Sequence, residues 1–311
     1  MVEGGSGELE DGQLPSLETV RERALAGVDG DGVNVLAHSL EGDDLLSAVD
    51  RATIEPEDGG PERDAYVGTD GARAGLLAAA ATVTADSDAR LHYPEAEFDL
   101  TAEGPWLVLE PLGGRLGTVS RGRATVTVTL ERSAGNRVAD DHERVGSVLE
   151  AAQPDHEYYP VDDDDLGVFT TGMTTFALES MQVADETMVV AFDVRTTPAT
   201  TADAVEARFE DCSGVTNVRL ERLSGVQRAV PDPAVREAAE AAHVSIVGDD
   251  EYAWLPPTAP FTAVPSPNKL ALGTGAAGQS FDAEDVETCR RLLERTIETL
   301  EMGAKGIEGS R

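Results

Sequence analysis

Three side chains that could do chemistry stand at predicted strand ends or in a turn between a strand and a helix. His38 closes the apolar run that begins at Gly32, and Glu110 closes the run that begins at Trp106. Asp70 lies in a glycine-rich turn that precedes an Ala/Leu-rich helix. Open α/β sheets place their binding sites at the carboxyl ends of strands. An imidazole at such an end is either a metal ligand or a hydrogen-bonded edge histidine, and the residues alone leave both open.

Other motifs also have two interpretations. Gly273-Thr-Gly275 follows a predicted strand, where it either binds an anion or only forms a turn. The four acids Asp162 to Asp165 either attract a cation or form a solvated acidic loop. His142 falls on the apolar face of a predicted helix, which predicts a place in the core or at an interface.

The clearest elements lie between Arg121 and Arg228. In Arg123–Glu131 apolar residues alternate with threonines and charges, which is typical of a strand with one buried face. The pattern then predicts a helix from Asp140, strands over Val168–Leu178 and Thr187–Arg195, a helix after Thr200, and a strand over Val215–Glu221. This β-α-β-β-α-β order is that of a ferredoxin-like unit.

Strands and helices also alternate on both sides of this unit. The predicted flanking elements are a helix capped by Ser16, the strand to His38, the helix Leu76–Val83, the strand ending at Glu110, the helix Pro233–Ala242, a strand over His243–Val247, a proline-rich loop over Glu251–Pro267, the strand from Leu270, and a long helix capped by Asp282. We therefore predict an acidic tail over residues 1–14 and one α/β domain over 15–120 and 229–311, interrupted by the unit at 121–228.

The strongly acidic net charge bears on which partners and which cellular location are expected. The 311 residues carry 59 acidic and 24 basic side chains, a formal charge of −35, and Lys269 and Lys305 are the only lysines. Such a charge repels nucleic acids and anionic membranes, so neither is expected as a partner. It is typical of a protein in a salt-accumulating cytoplasm, where cations screen self-repulsion. The residues Met1–Glu10 do not form a signal-peptide pattern, so we expect a cytoplasmic location.

Together these segments resemble the family of zinc-dependent acetylornithine deacetylases, succinyl-diaminopimelate desuccinylases and aminoacylases, from about Asn34 to Leu300. The segments that carry the resemblance are Tyr66-Val-Gly-Thr-Asp-Gly-Ala-Arg-Ala-Gly75, Leu109-Glu-Pro111, Arg121-Gly-Arg-Ala-Thr-Val-Thr-Val128, Phe192-Asp-Val-Arg195 and Gly273-Thr-Gly275. The resemblance implies a zinc-peptidase-like mixed-sheet α/β domain interrupted by a ferredoxin-like lid and dimerisation domain.

The resemblance also implies two zinc ions that activate a bridging water, with a glutamate as the base. His38 and Glu110 match metal ligands of the family. Asp70 stands one place before the bridging ligand, because an ungapped comparison puts Gly71 there. Leu40 stands where the family has an aspartate that orients the histidine.

Further positions depart from the family. Its adjacent glutamate pair is absent, and only Glu95 and Glu97, separated by one residue, stand nearby. Asn136 replaces the lid histidine that stabilises the oxyanion, although an amide can still donate a hydrogen bond. No histidine follows the glycines at 273–275 to act as the final ligand. Arg195 matches the lid residue that faces the substrate carboxylate.

We therefore expect a degenerate homologue that serves as a binding or partner subunit, with at most one weakly bound zinc or cobalt ion. The alternative is an active metal-dependent hydrolase of N-acyl amino acids in arginine or lysine metabolism. A third, more remote possibility is an unrelated α/β protein with a ferredoxin-like insertion. The expected partners are a small amino-acid-like ligand and a second copy of the chain. The predicted dimer contact is Arg123–Glu131 or the helix Asp140–Leu149, with His142 near it.

Overall fold

The computed structural model describes residues 13–30, 32–37, 46, 49–55, 60, 62–93, 99–132, 138–153, 156–157, 172–197, 200–256, 260–276 and 279–308. The helices in these residues are α1 (Leu17–Ala26), α2 (Gly71–Ala85), α3 (Val138–Ala151), α4 (Ala202–Glu210), α5 (Pro233–Ile246) and α6 (Ala283–Glu308). The strands are β1 (Asn34–Leu36), β2 (Asp50–Ile54), β3 (Arg63–Val67), β4 (Arg90–His92), β5 (Trp106–Leu109), β6 (Arg115–Ser120), β7 (Gly122–Glu131), β8 (His156–Glu157), β9 (Gly172–Met173), β10 (Thr175–Val183), β11 (Thr187–Thr196), β12 (Val215–Ser224), β13 (Gln227–Arg228), β14 (Tyr252–Leu255), β15 (Lys269–Gly273) and β16 (Phe281–Asp282). The chain divides into two compact units, residues 1–118 with 229–311 and residues 119–228.

The largest sheet has the strand order β13-β6-β15-β5-β1-β4, and β14 also pairs with β6. Its centre is parallel, because β4, β1, β5 and β15 all run in one direction. β6 runs antiparallel to β15. A smaller antiparallel sheet consists of β16, β3 and β2. The parallel centre brings the carboxyl ends of β1, β5 and β15 to one edge.

The large sheet is buried on both faces. One face carries Val35, Leu107 and Leu270 and packs in a cluster with apolar residues of α1, α2, α5 and α6. The other face carries Trp106 and packs with residues outside these helices, among them Phe261. Sheets with both faces covered have nearly continuous apolar strands, as Trp-Leu-Val-Leu in β5 shows.

Helix α2 packs so closely on its neighbours that one of its glycines has no room for a side chain. A Cβ atom built on Gly75 would lie 2.0 Å from Cδ1 of Phe281. We expect Gly75→Ala to lower the free energy of unfolding by about 1–3 kcal/mol, as overpacking does. Gly146→Ala in α3 is the matched control, because its Cβ would meet nothing within 4 Å. The control should be stabilised, since alanine favours helices more than glycine does. Urea unfolding of both variants in molar KCl measures this, and equal shifts would contradict the packing argument.

The second unit contains a four-stranded sheet in the order β10-β11-β7-β12, with every neighbouring pair antiparallel. Alternate residues of β7 and β11, such as Val126 and Phe192, are buried with Val148 of α3 and Phe209 of α4. Four strands in this order with two helices on one face form the ferredoxin-like arrangement. Because Val126 and Val35 belong to different sheets, the predicted fold class, an α/β domain interrupted by a ferredoxin-like unit, is confirmed.

Several predicted boundaries in the first unit are wrong. The segment predicted as the strand His243–Val247 continues α5 to Ile246, because its β-branched residues follow an alanine-rich helix that buries Ala242 and His243. The region 251–267, predicted as loop, contains β14, which pairs with β6. Helix α2 begins at Gly71 rather than Leu76. β4 and β6 were not predicted.

The face of α3 that carries His142 does not pack in the core, which corrects one of its two predicted places. The helix begins at Val138 rather than Asp140, and it buries Asp141 and Val148. Val138 is 72% exposed and His142 is exposed, so His142 is not a core residue. Arg132 explains the rotation of the helix, because its Nε donates to Oδ2 of Asp141 at 3.0 Å and so allows the carboxylate to face inward.

The strand proposed for dimer contact lies inside its sheet. β7 pairs with β11 on one side and β12 on the other, so an edge-to-edge contact through Arg123–Glu131 is excluded. The predicted strand Val168–Leu178 is also corrected, because β10 continues to Val183. Residues 168–171 lie outside the described residues. In the described part of the chain, no helix combines the length and apolarity needed to cross a membrane.

Candidate functional site

Glu110 and Gly273 lie side by side at the carboxyl edge of the parallel strands. The backbone N–H of Glu110 donates to the carbonyl of Leu272 at 3.1 Å, which extends the pairing of β5 with β15. A Cβ atom on Gly273 would lie 2.2 Å from the Glu110 carbonyl oxygen and 3.0 Å from Cδ2 of Leu76 in α2. The glycine therefore permits β5, β15 and α2 to converge at this edge. This is the close-approach role that glycines have near sites.

The Glu110 carboxyl group is buried at this edge. Glu110 is only 3% exposed, and its Oε1 accepts a hydrogen bond from the Phe261 amide at 3.5 Å. Burial raises the pKa of Glu110 to about 8, while the Phe261 amide and the positive charge of Arg73 act to lower that pKa. The carboxyl group is therefore mostly neutral at pH 7, as expected for an acid in an apolar setting.

Asp70 lies directly before α2 and pairs within its own helix turn. Arg73 donates from Nη1 to Oδ1 of Asp70 at 3.1 Å. The next position, Gly71, cannot supply a bridging carboxylate, because a Cβ there would lie 2.5 Å from the Tyr66 carbonyl oxygen. The one carboxylate of this turn thus faces a guanidinium.

A second buried ionisable group, Lys269, contacts the short helical turn Pro260–Thr262, whose Phe261 amide donates to Glu110. Lys269 is 4% exposed, and its Nζ donates to the carbonyl oxygens of Phe261 at 2.8 Å and Val264 at 2.6 Å. The same Nζ lies 4.4 Å from the centre of the Phe261 ring, a cation–π contact. Burial lowers the pKa of Lys269 to about 8. Phe261 is therefore held by Lys269 at its carbonyl and ring and contacts Glu110 through its amide.

His92 and His243 are the buried histidines among the described residues of the first unit. His92 makes a 2.9 Å hydrogen bond with Oδ1 of Asn34, and its ring centre lies 4.5 Å from that of Trp106. Burial lowers the pKa values of His92 and His243 to about 4, so both are neutral at pH 7. Neither residue lies in a group of potential metal ligands among the described residues.

In the second unit, the predicted substrate-binding Arg195 is part of an arginine cluster. Its Nη1 donates to Oδ1 of Asp193 at 2.7 Å. Arg123, the register partner of Arg195 on β7, donates to the same oxygen from Nε at 2.9 Å. Burial and the nearby Arg195 both lower the pKa of Arg121. The cluster fixes the Arg195 guanidinium in a cationic environment, in contrast to the acidic character of the whole chain.

Of the predicted site residues, the structure describes Asp70, Glu110 and Arg195 and leaves the others undescribed. Asp70 and Glu110 both lie within electrostatic reach of Arg73. His38, Glu95, Glu97 and Asn136 lie outside the described residues, as does the acidic run 162–165. Among the described residues, no three His, Cys, Asp or Glu side chains group closely enough to hold a metal ion. Of the two described candidate ligands, Asp70 is thus paired with an arginine and Glu110 is a buried carboxyl group whose pKa is raised.

Sequence reasoning missed Arg73, Phe261 and Lys269. Phe261 contacts Glu110 across 151 positions of the chain, which no local pattern reports, and Lys269 enters only through its contact with Phe261. Arg73 is only three residues from Asp70, so its contact was within reach of a local pattern. One signal was available for Lys269: in a chain with two lysines, a lysine directly before an apolar strand is unusual.

Comparison with known proteins defines the fold. No sequence-family model matches the chain, and no curated protein matches it in sequence. An M20 family metallo-carboxypeptidase from Sulfolobus solfataricus matches in structure with a TM-score of 0.53 and 12% identity, over 88% of this chain and 85% of that one. Aminopeptidase PepT from Bacillus cereus matches with a TM-score of 0.53 and 12% identity, over 88% and 81%. The di-peptidase Dug1p from Saccharomyces cerevisiae matches with a TM-score of 0.51 and 13% identity, over 88% and 80%.

These identities establish the fold and nothing finer: the chain has the fold of M20 metallopeptidases. The predicted zinc-peptidase-like architecture is thereby confirmed. Its assignment to the deacetylase and desuccinylase branch stays a prediction.

Proposed function

We propose that this chain is a non-catalytic binding or partner subunit with the M20 metallopeptidase fold and an incomplete two-metal centre. One observation carries the proposal: the two described candidate ligands are engaged otherwise. Asp70 pairs with Arg73, and Glu110 is buried as a neutral carboxyl group beside the Phe261 amide. A carboxylate must lose its proton and face the ion before it can act as a metal ligand.

The sequence supports the same conclusion. A catalytic zinc site needs about three protein ligands and an open position. Leu40 cannot orient His38 as an aspartate would, and Gln279 to Phe281 offer no histidine after the glycines of β15. The ligands that remain are too few for two metal ions.

The proposed ligand is a small amino-acid-like molecule. Arg195 supports this part of the proposal, because its contact with Asp193 holds the guanidinium in a defined position. A guanidinium presents its donors in a planar fork that suits a carboxylate.

The alternative is an active metal-dependent hydrolase of N-acyl amino acids. Glu110 favours it in one respect, because its side chain lies at the carboxyl edge of the parallel strands, where this chemistry would need a ligand. A metal ion that reached Glu110 would lower its pKa and ionise it.

A metal assay and an activity screen separate the two functions. We expect protein purified in concentrated KCl to hold substoichiometric zinc and cobalt and to show no hydrolysis of acetylornithine or related N-acyl amino acids. Elemental analysis measures the first and ninhydrin detection of released amines the second. Two tightly bound zinc ions, or turnover that disappears in His38→Ala and Glu110→Ala, would establish the hydrolase instead.

We further propose that the chain forms a homodimer through the edge strand β10. In the described part of the chain, β10 has a strand partner on one side only, β11. Three of its apolar side chains are exposed, Leu178 by 54%, Met181 by 52% and Val183 by 59%. Glu179 is its single charged residue. Natural edge strands are commonly protected by charges, and β10 lacks that protection over most of its length.

A further inference from the structure

The segment 260–264 contacts the Glu110 carboxyl group without being part of the large sheet. It begins with one helical turn and belongs to none of the strands that the structure describes. Its Phe261 amide donates to Oε1 of Glu110 at 3.5 Å, and Glu110 is 3% exposed. Phe261 and Val264 are both 0% exposed and pack with Trp106 on one face of the large sheet. The segment is therefore part of what shields Glu110 from solvent.

The Lys269 ammonium group ties this segment to β15. Its Nζ donates to the carbonyl oxygens of Phe261 at 2.8 Å and Val264 at 2.6 Å, and it lies 4.4 Å from the centre of the Phe261 ring. Lys269 is the first residue of β15, which pairs with β5 on one side and β6 on the other. One donor group on a paired strand thus holds two carbonyl groups of the segment 260–264.

The burial of Lys269 is unfavourable unless these contacts offset it. Lysine is almost never fully buried, because removing an ammonium group from water costs free energy unless other acceptors replace the water. Lys269 is 4% exposed, and the other residues of β15 are apolar or glycine. An apolar side chain at this position would avoid the cost, whereas the ammonium group provides a donor for two buried carbonyl oxygens. The contacts with the segment 260–264 are the compensation that the structure shows.

We propose that the segment 260–264 is a cover over Glu110 that Lys269 fastens, and that a ligand reaches Glu110 only after this fastening is released. The cover can open without unpairing the large sheet, because Lys269 holds it through a side chain rather than through strand pairing. Local openings of this kind cost less free energy than global unfolding does. The inference goes beyond the proposed function, since it concerns access to this edge of the sheet rather than its metal content.

Lys269→Met tests the fastening. Methionine is unbranched and apolar, so it can fill the same space, but it donates no hydrogen bond. In molar KCl we expect hydrogen–deuterium exchange of the amides in 260–264 to become at least about tenfold faster, while exchange in β5 and β15 stays unchanged. Val264→Ala is the matched control, because it removes buried methyl groups from the cover and leaves both backbone acceptors in place. It should speed the exchange less than Lys269→Met does.

A thiol at position 110 reports on access to the site. Glu110→Cys is made in a Cys212→Ser background, where the remaining native thiol, that of Cys289, is 0% exposed. Peptide mass spectrometry measures the labelling of the introduced thiol by iodoacetamide. We expect this labelling to be at least about tenfold faster when Lys269→Met is added, since the fastening is then lost. Both proteins lack the Glu110 carboxyl group, so the comparison isolates the effect of Lys269.

Urea unfolding shows whether each variant is folded. Lys269→Gln, whose side chain is too short to hold both carbonyl groups, replaces Lys269→Met if the latter does not fold. Equal labelling with and without the Lys269 substitution would overturn the inference. It would also be overturned if exchange in 260–264 rose equally in Val264→Ala, or if exchange rose equally across β5 and β15. These outcomes leave the proposed function standing, which instead fails on tight zinc and turnover in the wild type.

Discussion

Glu110→Gln should make the protein more stable at pH 8 than the wild type, although it removes a residue from the candidate site. The pKa of Glu110 is raised by burial to about 8 from an ordinary value of 4.5. Between these two values the folded protein keeps the proton and the unfolded chain has lost it. The free energy of unfolding of the wild type therefore falls with rising pH through this window, by roughly 1 kcal/mol per pH unit, and levels off above pH 8. Glutamine is neutral at every pH and lacks this loss.

Urea unfolding at pH 5 and pH 8.5 in constant KCl measures the difference. We expect wild type and Glu110→Gln to differ by several kcal/mol more at the higher pH than at the lower one. Glu237→Gln is the matched control, an exposed glutamate of α5 whose replacement should leave the pH dependence of stability unchanged. The same pH dependence in wild type and Glu110→Gln would show that Glu110 is ionised in the folded protein, and would favour the hydrolase.

The buried histidines set the acid side of the same profile. The pKa values of His92 and His243 are lowered by burial to about 4 from an ordinary 6.5. Below pH 6.5 the two histidines are protonated in the unfolded chain but stay neutral in the folded protein. Their contribution to the free energy of unfolding is therefore lost as the pH falls toward 4. Two histidines outweigh one Glu110 between pH 4.5 and 6.5, so these three groups together place their stability maximum near pH 6.5.

The central strands of the second unit could be predicted because their pattern is local and long. β7 and β11 each run for 10 residues, and alternate side chains of both are buried. A one-residue change of register would expose this whole set, so the alternation specifies the strands without knowledge of their partners. The helix α4 was predicted for a similar reason, since Val205 and Phe209 lie on its buried face.

The orientation of α3 could not be predicted from apolar spacing. Its inward face includes a carboxylate, Asp141, whose burial depends on Arg132 in the preceding strand-end segment. Val138 and Leu149, two apolar residues of the same helix, are 72% and 41% exposed. The salt bridge between Arg132 and Asp141 thus favours the observed rotation of α3. The spacing of apolar residues carries no information about this salt bridge.

β6 and the site contacts were missed because they depend on distant parts of the chain. β6 contains Gly117, which weakens a strand signal, yet a Cβ there would lie 3.0 Å from Cγ of Leu255 in β14. The glycine is thus a packing requirement set by a strand far along the sequence. For the site, the sequence indicated Glu110 and Asp70 as candidates, but their actual partners, Phe261 and Arg73, determine whether they can bind metal.

A charge placed on the edge of β10 should dissociate the proposed homodimer. In concentrated KCl, where self-repulsion between acidic surfaces is screened, we expect the wild type to have the mass of a dimer. Leu178 and Met181 of β10 stand opposite Phe192 and Val190 of β11, which are buried, whereas Leu178 and Met181 are exposed. A second copy added to this edge would cover them and extend the sheet, and the symmetry of such a pairing closes at two chains.

Leu178→Glu and Met181→Glu should each raise the dissociation constant by roughly a hundredfold or more, because a carboxylate enters an apolar contact without a partner. Multi-angle light scattering across a concentration series in molar KCl measures it. Val138→Glu is the matched control, since Val138 is 72% exposed on α3, the other predicted contact. The control should remain dimeric. Dissociation by Val138→Glu alone would place the interface on α3 instead of β10. A wild type that is monomeric in molar KCl would rule out the homodimer. β7 offers no alternative edge contact, because strands pair with it on both sides.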